Sequence, residues 1–286
     1  MNKTINVLIT GEGGYIGSKL AEHLEKSGNF KTHIISLIGD EWKKHDFSKY
    51  DSIVHLAAIV HRPKTEKEVY EKVNYELTVE LAKIAKNAKV KQLIFFSTAS
   101  VFGNVRGKIT LDTQVNPNNY YGESKLKAEK DLKKLQSEDF KVAIIRPPMV
   151  YGKGCKGNYV SLSKLAKKTF IFPKSNNQRS MIYIENLCEF CRLLILNNDE
   201  GTFYPQDKEY VNTSNMVKLI SEANNHKIFI SRFLNLFVIL GKKFPGKIGN
   251  LFNKVFGDLY YDKSMSEYKD NYIVKSFEDA INSTEK

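Results

Sequence analysis

Ile5-Asn6-Val7-Leu8-Ile9-Thr10-Gly11-Glu12-Gly13-Gly14-Tyr15-Ile16-Gly17 is the stretch that decides the fold. Ile5 to Ile9 is a short run of mostly β-branched or apolar residues, the pattern of a central parallel strand. It runs into glycines at 11, 13, 14 and 17, then into Lys19-Leu20-Ala21-Glu22-His23-Leu24-Glu25, which reads as helix. A strand, a tight glycine turn and a helix in that order make a phosphate-binding βα unit. Small residues let the backbone approach the anion, and N–H groups at the helix start face it. Counted from Gly11 and Gly13, the third position of the ordinary dinucleotide spacing holds Ile16, so that pattern fails. The fit is Gly11-x-x-Gly14-x-x-Gly17, which still provides turn, close approach and tight helix–sheet packing. A glycine cluster alone is equally a structural turn; between this strand and this helix it predicts dinucleotide binding. Ser18-Lys19 has the reverse of the order a P-loop requires.

A chain of 286 residues, 42% hydrophobic, suffices for one large α/β domain with a smaller satellite. Three cysteines, at 155, 188 and 191, make no disulfide framework and point weakly to a reducing compartment. Cys188-x-x-Cys191 has metal or redox spacing but lies in a helical run with no second pair, so buried helix thiols are expected and no metal. No apolar h-region opens the chain, which predicts a cytoplasmic protein. The net charge of +12 suggests nucleic acid, yet the lysines are spread along the whole chain without a base-reading motif. No nucleic-acid partner is expected; phosphorylated small molecules explain the charge as well, as does an Asn-Lys-rich background.

Thr32 to Leu37 reads as the second strand. An acid closing this strand would favour NAD by holding the adenosine ribose. Asp40 and Glu41 come late, and Ser36 occupies the strand end, which tilts the expectation slightly to NADP over NAD. Asp46 could face the adenine or cap a turn. Ser52-Ile53-Val54-His55-Leu56-Ala57-Ala58 is the third strand, whose small Ala57 and Ala58 leave room for a cofactor at the sheet edge. His55 is expected to pack within it and His61 to lie in a loop. Glu66 to Lys89 reads as helix on the apolar positions Val69, Val73, Leu77, Leu81, Ile84 and Ala85, with Asn74 interrupting the face. Asn74 is either a structural polar contact or a support for the loop near the nicotinamide. Gln92 to Phe96 is a buried strand ending in Ser97-Thr98-Ala99-Ser100-Val101-Phe102-Gly103, and hydroxyls at such a strand end are where these folds do chemistry.

Asn118-Asn119-Tyr120-Tyr121-Gly122-Glu123-Ser124-Lys125 predicts a helix from Tyr121, with Tyr121 and Lys125 four apart on one face. A phenol titrates near 10 and is a poor base; a neighbouring ammonium favours the phenolate. Thr98 can hold the sugar oxygen beside it. Lys141 to Ile145 is a further strand, Gly201 to Gln206 a short returning one, and Ser214 to Glu222 a capped helix. Residues 231–262 mix apolar and basic side chains, which suits a helical cap or a surface resting on an anionic membrane. Glu267 to Lys286 reads as a polar helix with a frayed end.

These pieces resemble an extended short-chain dehydrogenase/reductase of the nucleotide-sugar epimerase/dehydratase group. The resemblance rests on Thr10–Gly17, His55-Leu56-Ala57-Ala58, Phe96–Gly103, Tyr121-Gly122-Glu123-Ser124-Lys125, Arg146-Pro147-Pro148-Met149-Val150-Tyr151-Gly152 and Arg179–Leu187, over roughly residues 3 to 210. Phe102 replaces the family's more usual tyrosine, which costs little if the ring only packs. The resemblance implies a Rossmann-like doubly wound parallel sheet over mainly 1–152. It also implies a smaller C-terminal substrate-binding region over mainly 153–286, some of whose segments return to the first. It puts Thr98, Tyr121 and Lys125 at the catalytic positions, with Tyr121 and Lys125 also touching the cofactor. NADP or NAD would lie along Gly11, Gly13, Gly14, Tyr15, Ile16 and Gly17, reaching Ser36, Asp46, Leu56, Ala57, Ala58 and Asn74. Asn158 and Arg179, with Thr98, would hold the substrate, a nucleotide-diphosphate sugar.

Dehydratases of the group carry an Asp-Glu pair after the threonine, where this chain has Ala99 and Ser100. That leaves reduction of a UDP-4-keto-6-deoxy-N-acetylhexosamine, slightly favoured by Ser36, or 4-epimerisation of UDP-glucose or UDP-N-acetylglucosamine. Gly39-Asp40-Glu41-Trp42, Gly157-Asn158-Tyr159 and Asn177-Gln178-Arg179-Ser180 resemble the capsule and O-antigen branch, where both activities occur. A non-catalytic nucleotide sensor is the reading of another class. A homodimer is the candidate assembly, and the inner face of the membrane the candidate site of peripheral contact.

Overall fold

The computed structural model describes residues 3–60 and 65–286; His61 lies outside the described residues. The chain opens with β1 (Ile5–Thr10), α1 (Tyr15–Lys26), β2 (Phe30–Ile35) and β3 (Ser52–His55). A long helix follows in three parts: α2 (Lys67–Tyr70), a π turn (Glu71–Glu76) and α3 (Leu77–Asn87). Next come β4 (Gln92–Phe96), a 3-10 turn (Ala99–Phe102), β5 (Gly107–Ile109), α4 (Tyr120–Leu135) and β6 (Lys141–Ile145). Beyond them lie β7 (Met149–Tyr151), α5 (Asn158–Ala166), β8 (Ile171–Pro173), β9 (Met181–Tyr183), α6 (Ile184–Asn197) and β10 (Gly201–Phe203). The chain ends with α7 (Thr213–Ala223), β11 (Phe229–Ser231), α8 (Asn235–Lys243), α9 (Gly246–Phe256), β12 (Leu259–Tyr261) and α10 (Phe277–Glu285).

Six strands form one sheet in the order β10-β6-β4-β3-β1-β2, and every neighbouring pair is parallel. From β1 the chain goes out to β2 on one side and returns to β3 on the other. The crevice for a ligand in such a sheet opens where that reversal occurs, between the carboxyl ends of β1 and β3. Alternation along the strands fills both faces. Val7, Ile9, Val54, Ile94 and Phe96 pack on one side with α1 and α6, and Leu8, Ile53, Leu93 and Phe95 on the other with α3 and α4. Cys188 and Cys191 are buried thiols of α6, as expected. Three two-stranded ladders, β7 with β9, β8 with β11 and β5 with β12, make up the rest.

Three expectations shift. The second strand ends at Ile35 and the third at His55, because both chains leave the sheet to form the lips of the crevice. The buried stripe of the 67–87 helix is Tyr70, Asn74, Thr78, Leu81 and Ala85, whereas Val69 is exposed. Polar residues occupy that stripe because they have bonds to make there, described below. The C-terminus is docked rather than frayed. Phe277, Ala280 and Ile281 are buried, and Glu285 accepts from Tyr159 and Ser163 at 2.7 and 3.1 Å.

Residues 231–262 do form a helical cap: α8 and α9 make a hairpin. Gly241 leaves room for the Phe252 ring, since a Cβ there would sit 2.5 Å from it.

Behind α4, Glu129 is buried against Arg146, whose Nε donates to it at 3.0 Å while Ser97 also donates to the same carboxylate. The guanidinium lies 5.3 Å from the Phe102 ring centroid and 5.7 Å from that of Tyr204, so Phe102 packs, as its substitution for tyrosine required. Stranding one member of a buried ion pair costs about 3–5 kcal/mol. Glu129→Ala is therefore expected to lower the urea midpoint markedly, and Glu129→Gln less, measured by circular dichroism.

Candidate active site

The glycine turn is built for close approach. Gly11 has φ +99°, and a Cβ on it would lie 3.0 Å from the Ala57 nitrogen. Gly14 is pressed on the Gly11 carbonyl, to which its N–H donates at 3.1 Å. Gly13, at φ +72°, has open space where its Cβ would be. Helix α1 starts at once from Gly14, with no side chain capping it and no acid in its first turn. Its first N–H groups and dipole are thereby left for an external anion, and a dinucleotide pyrophosphate fits this cradle.

Opposite it, the lip after β3 is held by a chain of buried bonds that the sequence did not reveal. The Leu56 and Ala57 N–H groups donate to the Thr10 hydroxyl at 3.2 and 3.3 Å. Thr10 lies 2.7 Å from His55 Nδ1, and His55 Nε2 lies 2.8 Å from the Thr78 hydroxyl. Thr78 donates to the Asn74 carbonyl at 2.9 Å, so it accepts from His55. That order fixes a neutral imidazole carrying its proton on Nε2, with Nδ1 accepting from Thr10. Asn74, inside the π turn, clasps Ile59 in both directions, N–H to Oδ1 at 2.8 Å and Nδ2 to C=O at 2.9 Å. Its Nδ2 also reaches Ser124 on α4 at 3.2 Å, and Ser124 donates to the Tyr121 carbonyl at 2.9 Å. Loop support is thus the role its contacts match. The one hint in the sequence was a threonine directly before the turn facing a histidine within a buried strand.

Ser36 directly follows β2 and accepts from the Ile38 N–H at 3.2 Å. No acid stands at that strand end: Asp40 is exposed and pairs with Lys43 at 3.0 Å. Asp46 is exposed and closes its own turn, accepting from the Ser48 N–H at 3.0 Å and the Ser48 hydroxyl at 2.6 Å. Tyr15 tops α1 with a buried hydroxyl that has no hydrogen-bond partner among the described residues.

Thr98 and Tyr121 are brought together. Asn119 caps α4, accepting from the Gly122 N–H at 2.9 Å, and so starts the helix at Tyr120. Gly122 has no room for a side chain: a Cβ there would be 2.7 Å from the Ser100 carbonyl oxygen. This lets the turn after β4, whose first bond is the Ser100 N–H to the Thr98 hydroxyl at 3.1 Å, press on the helix start. The Thr98 hydroxyl lies close enough to the Tyr121 phenol to act on it, favouring its ionised form. Lys125, fully buried, donates to the Phe96 carbonyl at 2.8 Å and stands 4.5 Å from the Phe95 ring centroid.

The electrostatics differ from the expectation. Burial pushes the Tyr121 phenol up to about 12, with Thr98 pulling the other way. Burial pushes the Lys125 ammonium down to about 7, with Glu129 opposing. One N–H of the ammonium goes to the Phe96 carbonyl, and burial outweighs any lowering of Tyr121 by Lys125, so both charged forms are disfavoured by the dry surroundings.

Arg179 donates to the Lys254 and Gly257 carbonyls at 2.9 and 3.2 Å, at the carboxyl end of α9, rather than to a carboxylate across the molecule. It lines a small cavity of about 50 Å³ with Ala99, Met149 and Tyr261. Asn158 is the exposed first residue of α5 and lines a different cavity, about 510 Å³, between α5 and α9 with Phe172, Phe252 and Lys254.

Residues 7–205 match the NAD dependent epimerase/dehydratase family. The chain belongs to this family. It is 31% identical to the UDP-glucose 4-epimerase of Vibrio cholerae over 76% of this chain and 75% of that one. It is 28% identical to the N-acetyl-α-D-glucosaminyl-diphospho-ditrans,octacis-undecaprenol 4-epimerase of Escherichia coli O157:H7 over 78% and 73%. The fold matches that of UDP-glucuronic acid 4-epimerase from Bacillus cereus, with a TM-score of 0.74 at 19% identity over 98% of this chain and 97% of that one. The chain is accordingly an NAD(P)-dependent nucleotide-sugar enzyme of epimerase or reductase type.

Two measurements check the site. Gly11→Val is expected to lower dinucleotide affinity at least ~10-fold by calorimetry, because a side chain at positive φ against Ala57 closes the crevice. His55, pushed down to about 3 by burial, stays neutral in the folded chain through the mildly acid range. The unfolded chain binds a proton near ~6.5 that the folded one refuses, so stability falls as pH drops from there toward about 3. His55→Gln is expected to flatten that part of the stability–pH curve.

Proposed function

We propose that the chain is a 4-epimerase of a nucleotide-diphosphate sugar of the UDP-glucose or UDP-N-acetylglucosamine kind, with NAD in the Gly11–Gly17 crevice. The observation that carries the reading is the paired hydroxyls of Thr98 and Tyr121 at a strand's carboxyl end, beside Lys125 and across from an uncapped helix start. Two 4-epimerases among the relatives support it over reduction, the reading the sequence slightly favoured.

A bound nicotinamide supplies the hydride acceptor and donor for C4. Tyr121 takes the proton of the C4 hydroxyl as the sugar is oxidised and returns it to the same oxygen on reduction. Thr98 holds that oxygen by a second hydrogen bond. Lys125, one turn along α4 from the tyrosine, is placed to fix the nicotinamide ribose. Arg179 and Asn158 hold the diphosphate side, where a forked cation suits phosphate oxygens. Ala99 and Ser100 supply no carboxylate for a C5 proton, which argues against dehydration.

One observation favours a second reading. Ser36 leaves no negative charge to repel a 2′-phosphate, which suits NADPH and a single reduction of a UDP-4-keto-6-deoxy-N-acetylhexosamine. Separate incubations with UDP-N-acetylglucosamine and with that ketosugar, each with NADH and NADPH, distinguish the two. Interconversion of UDP-N-acetylglucosamine and its C4 epimer without net cofactor change is expected. Stoichiometric cofactor oxidation with the ketosugar alone would replace epimerisation by reduction. Tyr121→Phe is expected to lower turnover ~10²–10⁴-fold with dinucleotide affinity kept, and Thr98→Val to lower it less. Unchanged turnover in Tyr121→Phe would reject the assignment.

A further inference from the structure

Helices α8 and α9 present an apolar surface that the fold leaves uncovered. Val238 and Phe256 anchor the hairpin in the core, while Phe233, Leu236, Phe237, Leu240, Ile248 and Leu251 face outward. Phe233 is 92% exposed and Phe237 65%. Leu236, Phe237 and Leu240 lie on α8, with Phe233 just before it, and α9 carries Ile248 and Leu251. Scattered exposed apolar residues are ordinary; this many in one hairpin mark an interaction surface.

The charges around this surface select the partner. From Ala223 to Gly257 the chain has no aspartate or glutamate, but it carries Lys227, Arg232, Lys242, Lys243, Lys247 and Lys254. A protein interface of this size would need acidic counterparts to all six or leave them on the rim. A bilayer with anionic headgroups meets both demands at once, taking the phenylalanines and leucines below the headgroup level and the lysines at it. Neither helix is long enough to cross a membrane, and no helix among the described residues is.

We propose that the α8–α9 hairpin docks the protein on an anionic phospholipid surface. The hairpin's inner side reaches the site: Phe252 and Phe256 line the cavity shared with Asn158, and the carbonyls of Lys254 and Gly257 hold Arg179. Docking therefore sets the diphosphate side of the site next to the bilayer.

Co-sedimentation of the full chain with phosphatidylcholine vesicles and with vesicles containing 30% phosphatidylglycerol (about one lipid in three, a strongly anionic leaflet) tests the proposal. Binding is expected to the anionic vesicles and to weaken in high salt. Phe233→Asp with Phe237→Asp, and separately Lys242→Glu with Lys243→Glu, are each expected to reduce it at least ~10-fold. Turnover of a water-soluble nucleotide sugar by both variants, unchanged from the parent, reports that each is folded. No binding, or binding equal on the two vesicle types and in both variants, overturns the proposal. So does a dimer in vesicle-free buffer that becomes a monomer in Phe233→Asp with Phe237→Asp, because the surface then belongs to a second copy. Vesicle binding requires no catalysis, so this outcome and the test of 4-epimerisation fail independently.

Discussion

A histidine ring shut away from water must have both nitrogens bonded, and much of the crevice is arranged around that demand. His55 sits fully buried in β3, between Thr10 at the end of β1 and Thr78 on the long helix. Each bond contributes only about 1 kcal/mol net, but leaving one buried group orphaned costs about 1–3 kcal/mol. The chain of bonds therefore forms as a set or not at all. Its members come from four elements far apart in sequence, so their mutual satisfaction fixes the distance between the two lips of the sheet edge. The π turn that carries Asn74 is the local irregularity this arrangement accepts, and such turns are frequent at functional sites.

The second organising device is the removal of side chains. Gly11, Gly14 and Gly122 stand where a single carbon would meet backbone atoms at about 3 Å or less. Two of these contacts shape the anion cradle and the third sets Thr98 against Tyr121. Precision in the Thr98–Tyr121 pairing comes from backbone lying on backbone, which neither rotates nor relaxes as side-chain packing can. The dry surroundings then act on protonation. A phenol pushed up to about 12 stays protonated at neutral pH and releases its proton less readily than a free one, while a lysine pushed down to about 7 holds its own proton less firmly. A positively charged nicotinamide ring at this place would tilt the phenol toward ionisation.

The glycine turn, the parallel sheet, Thr98 beside the tyrosine and the buried helix thiols were legible in the sequence because each is a local pattern. A strand, a turn and a helix follow one another in seventeen residues, and Tyr121 and Lys125 share a helix. What stayed hidden depends on distant partners. The 67–87 helix offered an apolar stripe through Val69 and Val73, and nothing local could show that Asn74 and Thr78 would be chosen for burial by a histidine on another strand. The polar C-terminal segment looked frayed until Glu285 met Tyr159, Ser163 and Lys167. Arg179 stood out as a cation for a diphosphate, and the partners that hold it within the fold are carbonyl oxygens, which any residue supplies and no sequence pattern marks.

That last contact has a bearing on capture. Among the described residues Arg179 has no carboxylate within ion-pair range, so its charge is uncommitted even though its fork is tethered. Immobilising a long, rotamer-rich side chain costs roughly 0.5–1.5 kcal/mol when it happens on association. Here the chain settles that debt while it folds. If the proposed diphosphate binds there, it would meet a cation already ordered and lose less of its attraction to the ordering of the receptor.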